Sequence, residues 1–412
     1  MRRLIFATLL LHSVAATAQV TVGDEIVSVP LPRQIAPASL AAPAVALARD
    51  HTGIAIAWTM ANGSGIDAAN RVYVTRLDEL GNGGGITREM PLASANVRTH
   101  EVSPSLAAAP DGNGFIAAWL EIDPSTPMTA RAAFSRIDAA LTPSAPTTLF
   151  PPGLPVAPTV VRTKNSKSWI SAGGFLWSLD GTLDGPLGGI VASDMTIAND
   201  VPQLVGSHVE QDKTYYTCSA APGCLVSQGP FKGFCYPSCR SYPFDYALDF
   251  ASLNGPHVSK TFDFLSDAQP AIANNGTDMA VVWFRGAQTS GGDVVMSRLP
   301  LSFVTLDGGE PLATFAGDSG QTRPDIASDG QRYVVVWRTQ AMAGNHDVVG
   351  MVIDNDGRQT PLSIATSSAD ERDPSVLSLG GGTFLVAYEK MVGFERRIAG
   401  RFVTFGRHRA AR

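Results

Sequence analysis

The strongest constraint on this chain is a segment that recurs along it. Pro270–Trp283 (PAIANNGTDMAVVW) returns as Pro324–Trp337 (PDIASDGQRYVVVW), and weaker copies start at Pro43, Pro104 and Pro374. A period of about fifty residues indicates one small supersecondary unit that is repeated around a ring or along a solenoid. The chain is therefore expected to consist of a series of such units.

Each copy predicts short antiparallel strands. The first strand holds small apolar residues and ends in a polar turn such as Asp111-Gly-Asn-Gly114, whose glycines tolerate positive φ. A dense apolar strand that ends in an aromatic residue follows, as in Tyr333 to Trp337, and then a third strand such as Val294 to Leu299 and a less regular fourth. Four antiparallel strands in a repeated meander predict the blades of a β-propeller.

The number of units predicts the number of blades. Two degenerate repeats, near Pro158 and Pro202, join the five clear ones, and the second of them is interrupted by a cysteine-bearing segment. The spacing averages about 55 residues, and the seven blades are expected to start near Pro43, Pro104, Pro158, Pro202, Pro270, Pro324 and Pro374. Six or eight blades remain open if a degenerate repeat is misread.

The two ends of the propeller, which we assign to residues 19–406, predict how the ring closes. The last unit ends after its third strand, near Arg397 to Phe405, whereas the strand-like segment Val20 to Leu31 belongs to no unit. We expect this N-terminal segment to complete the last blade, because that pairing leaves no open edge. The predicted fold is an all-β, seven-bladed propeller of four-stranded antiparallel blades.

The chain termini predict an exported protein. Residues 1–18 read as a signal peptide, with Arg2 and Arg3 before the apolar stretch Leu4 to Leu11 and small residues at the cleavage site. We expect a periplasmic or extracellular location, and no later apolar run is long enough for a membrane span. Residues 407–412 form a short basic tail, which we interpret as a frayed terminus.

The charge balance argues against nucleic-acid binding. Removal of the signal reduces the basic residues from 31 to 29 against 37 acidic ones, a formal net charge of −8. A protein that neutralises phosphates needs the opposite balance. The histidines are scattered without a zinc-protease motif, so we expect no metal and no cofactor. We also expect the protein to be a monomer.

The four cysteines lie together in an insertion at residues 217–241. Cys218, Cys224, Cys235 and Cys239 have the spacing C-x5-C-x10-C-x3-C, which in an exported protein predicts two disulfides. A zinc site is the alternative, but only the last pair approaches its usual short spacing. Three pairings are possible; a projecting hairpin favours the nested one, Cys218 with Cys239 and Cys224 with Cys235.

Loop positions predict where a ligand would bind. In a four-strand meander the second-to-third and fourth-to-first connections emerge on one face, and here these are the long ones, so we call this the loop-bearing face. Binding residues concentrate on loops held by a rigid scaffold. The charged residues that we expect there and select as candidate ligand-binding residues are His100, Glu121, Asp123, Arg285, Arg323, Arg338 and Glu389. The recurrent tryptophans, by contrast, are interpreted as packing between blades rather than as a ligand platform.

The repeat resembles one found in secreted and surface proteins of bacteria. Its pattern is P-x-[IV]-A-x-[DN]-G-x-x-[YF]-[LV]-V-x-W followed by a D-[IV] strand, and Gln269 to Arg298 and Arg323 to Ile353 match it closely. The resemblance implies a propeller without an assigned activity, so it supplies no functional residues. WD, kelch and sialidase repeat signatures are missing from the sequence.

Two functions are consistent with these features. The first is an exported module that binds an extracellular or cell-surface protein or glycan through the loop-bearing face. The second is a glycoside hydrolase or polysaccharide lyase with carboxylates in the central channel. Two acidic residues about 5–9 Å apart in the channel would favour a glycosidase, whereas a wall of alanine, serine and threonine would favour binding. No catalytic residue is assigned.

Overall fold

The structure is a computed structural model of the chain. It describes residues 20–29, 45–62, 69–77, 83–94, 96, 98–123, 129–155, 160–165, 167–180, 182–186, 192–210, 215–219, 238–242, 245–253, 257–260, 266–287, 291–301, 310–316, 323–340, 345–392 and 395–406. The predicted signal peptide (1–18) and basic tail (407–412) lie outside these residues. Within them, no helix is long and apolar enough to cross a membrane.

Thirty-one strands make up the regular structure of the described residues. Two short strands come first, β1 (Val20–Val22) and β2 (Ile26–Val29). Blade 1 contains β3 (Val45–Asp50), β4 (Gly53–Asn62), β5 (Ala69–Leu77) and β6 (Gly83–Glu89). Blade 2 contains β7 (His100–Ala108), β8 (Phe115–Ile122), β9 (Thr129–Ile137) and β10 (Thr147–Pro155). Blade 3 contains β11 (Val160–Lys164), β12 (Lys167–Ala172), β13 (Phe175–Ser178) and β14 (Leu183–Pro186).

The remaining blades follow the same order. Blade 4 contains β15 (Ala192–Ala198), β16 (Val201–Glu210), β19 (Asp245–Ser252) and β20 (His257–Lys260), with the hairpin β17 (Tyr215–Ser219) and β18 (Ser238–Tyr242) inserted. Blade 5 contains β21 (Ser266–Asn274), β22 (Asp278–Ala287), β23 (Gly291–Pro300) and β24 (Glu310–Ala316). Blade 6 contains β25 (Asp325–Ser328), β26 (Arg332–Gln340), β27 (His346–Asp354) and β28 (Gln359–Ala365). Blade 7 contains β29 (Glu371–Gly380), β30 (Thr383–Val392) and β31 (Glu395–Phe405).

The seven sheets form a closed ring, which confirms the predicted fold. Each sheet is an antiparallel meander in chain order, and the first strand of each blade contacts that of the next, including β29 with β3. Seven buried apolar clusters join adjacent blades in every case, so each interface of the ring has its own core. The largest fully buried side chains include the repeat aromatics Trp58, Trp119, Trp283 and Tyr388.

The N-terminal segment closes the last blade, as predicted. β1 and β2 both pair with β31, with Val20 opposite Phe405 and Ile26 opposite Gly400. Glu25, between the two strands, accepts hydrogen bonds from Lys390 Nζ on both oxygens (2.8 Å each) and from the Tyr388 hydroxyl (2.7 Å). Burial opposes ionisation of Glu25, but these bonds and the nearby cations hold its pKa below the ordinary value.

The repeated proline marks a β-bulge rather than the start of a strand. In blades 2, 5 and 7 the pairing of the first two strands skips two residues, and these pairs are Ser103-Pro104, Gln269-Pro270 and Asp373-Pro374. Proline suits this position because it has no N–H to give to the ladder. The residue before each proline has a positive φ of 53°, 55° and 46°, respectively, and such bulges re-aim side chains.

The fourth unit differs from its predicted boundary. Pro202 lies in the second strand β16, and the first strand of blade 4 is β15, in which Ser193 replaces the repeat proline. Tyr215 and Tyr216 belong to β17 of the inserted hairpin and not to a blade strand. The insertion separates β16 from its partner β19, and this hides the repeat in the sequence.

The inserted hairpin bears on the disulfide prediction. Its register places Cys218 directly opposite Cys239, as the nested pairing requires. Cys224 and Cys235 lie outside the described residues. The two disulfides therefore stay a prediction, with the backbone register in agreement for one of them.

The packing role of the repeat aromatics predicts a graded loss of stability at Trp337. Its side chain is 3% exposed, and its indole nitrogen has no hydrogen-bond partner among the described residues. We expect Trp337→Ala to lower the free energy of unfolding by about 3–5 kcal/mol, as for other buried aromatics. Trp337→Phe should lose clearly less, because no hydrogen bond is broken. Denaturant unfolding of both variants tests this, and an unchanged midpoint in the alanine variant would contradict it.

The Glu25 contacts predict that ring closure depends on one carboxylate. We expect Glu25→Ala to destabilise the protein by about 2–3 kcal/mol, since hydrogen bonds to charged groups are worth about 1.5–3 kcal/mol. Asp24→Asn, at the exposed neighbouring residue, is the matched control and should leave stability within about 0.5 kcal/mol of the parent. Thermal melting measures both effects, and equal melts for the two variants would show that Glu25 does not hold the closure.

Candidate functional site

The first strands of the blades enclose a central channel with a cavity of about 380 Å3. Small and aliphatic side chains dominate the described wall, because seven strands converge on the axis and leave little room. The charged residues on the wall are Arg49, Arg162, Asp194, Arg323 and Asp325. The channel therefore combines the small-residue wall expected for a binding module with two carboxylates.

Three polar side chains on the channel wall form hydrogen bonds between adjacent blades. Each accepts a hydrogen bond from a backbone N–H in the first strand of the next blade. The pairs run from blade 2 to 3, from blade 4 to 5 and from blade 6 to 7: Ser105 with Val161 (3.0 Å), Asp194 with Ile272 (2.9 Å) and Asp325 with Val376 (2.8 Å). These contacts connect strands that share no backbone ladder.

The two channel carboxylates are occupied by such contacts. Asp194 also accepts from the next backbone N–H (2.8 Å) and from Arg162 Nη2 (2.5 Å). Asp325 also accepts from the next backbone N–H (2.9 Å) and from the Ser375 hydroxyl (3.0 Å). Burial raises the pKa of Asp325, and the Asp194 charge adds to the effect. Both carboxylates are therefore engaged in hydrogen bonds within the channel wall.

Charged side chains of blades 6 and 7 meet on the loop-bearing face. His346, at the start of β27, places Nδ1 2.8 Å from Asp370 Oδ1, and Arg372 Nη2 lies 2.6 Å from Asp370 Oδ2. Burial lowers the pKa of Arg338, at the end of β26, while the charges of Asp373 and Asp370 oppose that shift. We call these five residues the blade 6–7 mouth. Carboxylates that hold an imidazole and a guanidinium in place form a pre-organised polar surface.

A second polar group lies between blades 1 and 2. Glu101 and Glu121 face each other across β7 and β8. Glu101 accepts a hydrogen bond from the Val72 N–H and Glu121 from the Ala93 N–H, both at 2.7 Å. The other oxygen of each carboxyl is buried without a hydrogen-bond partner among the described residues. These glutamates anchor neighbouring backbone instead of facing solvent.

The structure separates the predicted site residues into three places. His100, Glu121 and Asp123 lie at blade 2, Arg285 lies in blade 5, and Arg323, Arg338 and Glu389 lie at blades 6 and 7. Glu121 and Glu389 are 2% and 3% exposed, so neither presents its carboxylate to a ligand at the surface. Ligand binding by the set as a whole stays a prediction.

Individual contacts explain the roles of three further predicted residues. Asp123 accepts a hydrogen bond from Asn96 Nδ2 (3.2 Å), and His100 Nδ1 accepts the Asn70 N–H (3.2 Å). The guanidinium of Arg285 lies 5.4 Å from the ring centroid of Trp283, within cation–π range. Each of these three side chains therefore has a local structural contact.

Sequence reasoning missed Asp194, Arg162 and Asp325. Asp325 directly follows a repeat proline, and that position also carries Ser105 in blade 2. A polar residue directly after the repeat proline was thus a usable signal for blades 2 and 6. Blade 4 has no proline at this place, so Asp194 had no such marker. Among the described residues, no three His, Cys, Asp or Glu side chains are grouped to hold a metal.

Comparison with solved structures supports the fold. A protein of unknown function from Dyadobacter fermentans has a TM-score of 0.53 at 11% identity, covering 94% of this chain and 99% of that one. An α-L-arabinanase from Penicillium chrysogenum has a TM-score of 0.47 at 11% identity (94% and 98%), and a Trypanosoma rangeli sialidase mutant 0.43 at 9% (87% and 53%). No protein-family model matches this chain, and no curated protein does. At these identities the likeness concerns the propeller fold alone.

The buried Glu101 predicts a pH-dependent stability. Burial raises its pKa to about 8, with the Glu121 and Glu89 charges adding and the Val72 N–H and Arg71 opposing. The folded protein therefore binds more protons than the unfolded chain above the ordinary glutamate pKa. The contribution of this group to the free energy of unfolding is present at pH 4–5 and is lost as the pH rises to 8. The loss is on the order of 4 kcal/mol.

Glu101→Gln provides the test, because glutamine can still accept the Val72 N–H but cannot ionise. We expect this variant to flatten the fall in unfolding free energy between pH 5 and 8 and to exceed the parent in stability at pH 8. A smaller slope should remain, since burial also raises the pKa of Glu371. Asp356→Asn, in an exposed turn, is the control that should keep the full slope. An unchanged slope in Glu101→Gln would refute the assignment.

Proposed function

We propose that this protein is an exported binding module that holds an extracellular or cell-surface protein or glycan at the blade 6–7 mouth. The observation that carries the proposal is the contact of Asp370 with both His346 and Arg372 on the loop-bearing face, where Arg338 and Asp373 are near enough to interact through their charges. The first 18 residues support export. A periplasmic or extracellular setting follows from that signal.

The scaffold supports a binding role. Each of the seven interfaces has its own apolar core, and the mouth residues stand at the ends of paired strands. Groups held on rigid strands lose little conformational freedom when a ligand binds, which favours affinity. Mixed positive and negative groups suit polar partners, because each charge can pair with a complementary group on the ligand.

One observation favours a catalytic alternative. His346 has its Nδ1 fixed by the Asp370 carboxylate, and a carboxylate that orients an imidazole in this way is typical of a general base. A glycoside hydrolase or polysaccharide lyase is the corresponding activity. The channel carboxylates expected for this role are instead engaged in contacts between blades, so His346 becomes its main candidate.

The binding proposal predicts a localised effect of charge removal. We expect the mature chain to bind members of a glycan array or a panel of purified cell-surface proteins, and Arg338→Gln to weaken that binding at least tenfold. Arg358→Gln removes the same charge from an exposed turn on the opposite face and should leave affinity unchanged. Both variants should melt like the parent.

Two outcomes would contradict the proposal. Equal affinity of the Arg338 and Arg358 variants would move the binding surface away from the mouth. Turnover of a polysaccharide by the parent chain, lost in His346→Gln with the fold intact, would replace the binding role with the catalytic one. The binding screen should therefore include an assay for released reducing ends and for unsaturated products.

A further inference from the structure

Arg323 differs from the other charged groups of the channel wall. It directly precedes the repeat proline Pro324, and the equivalent residue in blades 2, 5 and 7 belongs to a β-bulge. Its side chain lines the central cavity. Protein surrounds the side chain, yet part of its surface stays open. None of the described residues forms a hydrogen bond or an ion pair with its guanidinium within 4.0 Å. Five N–H donors are thus available at the edge of a cavity.

The carboxylates around Arg323 do not use these donors. Asp194 is paired with Arg162, and the oxygens of Asp194 and Asp325 accept backbone N–H groups of the wall. Asp373, on the next blade, is the third acidic neighbour, and like the other two it acts on Arg323 through its charge. These acids favour the charged form of Arg323 without filling its hydrogen-bonding positions.

The cavity itself limits the ligand. Its volume of about 380 Å3 falls in the range of small-molecule pockets. Hydroxyl-bearing residues on its wall include Ser105, Thr163, Thr196 and Ser375, and no aromatic side chain belongs to the described lining. Such a wall suits a small ligand rich in hydroxyl groups. A guanidinium matches a carboxylate in size and geometry, since two parallel N–H groups can bind its two oxygens.

We propose that the channel binds the carboxylate of an acidic sugar, with Arg323 as the residue that recognises it. The sugar hydroxyls then face the hydroxyl-bearing wall. This site rests on the proposed function and specifies its ligand further: the glycan held by the loop-bearing face would end in an acidic sugar. Arg323 then binds the acidic sugar in the channel. Arg338 and the rest of the blade 6–7 mouth contact the part of the glycan that extends out of the channel.

The test uses matched sugars that differ in the acid alone. Isothermal titration of the mature chain with D-galacturonate should show one site per chain. D-galactose, which lacks the carboxylate, should bind at least tenfold more weakly. Arg323→Gln should weaken galacturonate binding at least tenfold, and Arg323→Lys should weaken it less, because the charge stays but the paired donors are lost.

Arg49 provides the control within the same channel. It lies toward the tight-turn end and donates to the Leu379 carbonyl, so Arg49→Gln should keep galacturonate affinity. Melting curves check that every variant is folded, and Arg323→Lys remains informative should the glutamine variant fail to fold. Equal binding of the two sugars, or equal loss in the Arg49 and Arg323 variants, would overturn the proposal. So would binding of triglycine through its terminal carboxylate without binding of galacturonate.

The same experiments separate this inference from the proposed function. Galacturonate binding that requires Arg323, together with no partner in the glycan and protein panels, would support the channel site and refute the binding module. A macromolecular partner that depends on Arg338 but is bound equally by Arg323→Gln would support the module and refute the acidic-sugar site.

Discussion

The fold depends on the burial of both faces of every sheet by its neighbours in the ring. A four-stranded blade cannot cover its own apolar faces, and the seven clusters show that each blade completes two cores, one with the blade before and one with the blade after. The cluster between blades 7 and 1 exists only because the ring is closed. The strand β1 and the Glu25 contacts therefore act on the whole ring, although they involve only a few residues.

The convergence of the first strands on the ring axis constrains the polar side chains of the channel wall. The first strands approach each other closely, so their wall admits small side chains, and any polar group there must find a partner on the neighbouring blade. Asp194 and Asp325 meet this requirement with backbone N–H groups, since a buried carboxylate without such partners is costly. An expectation of catalysis from channel carboxylates alone overlooks this structural demand. Arg323 stands out because the same demand is not met within the described residues.

The sequence predicted the fold well because the repeat aromatics and turns report local structure. Trp283 and Trp337 occupy equivalent places in the second strands β22 and β26, and the Asn-Gly and Asp-Gly turns require positive φ. The prediction of the fourth unit failed where Ser193 replaces the proline and where the insertion separates paired strands. The site was harder to predict. Topology places Glu121 and Arg338 on one face, but only the three-dimensional structure shows that Glu121 binds the Ala93 N–H, whereas Asp373 and Asp370 act on Arg338 through their charges.

The closure and the proposed site are physically connected through Lys390. Its ammonium pairs with Glu25 on the N-terminal segment and lies 3.6 Å from Glu371, which adjoins Asp370 and Arg372 in the blade 6–7 mouth. Glu371 in turn accepts a hydrogen bond from the Ser367 hydroxyl in the connection that precedes β29. A ligand that requires these residues in their observed places binds the closed ring and not an opened one. By linkage, such a ligand stabilises the closure, and an intact closure raises the affinity for the ligand.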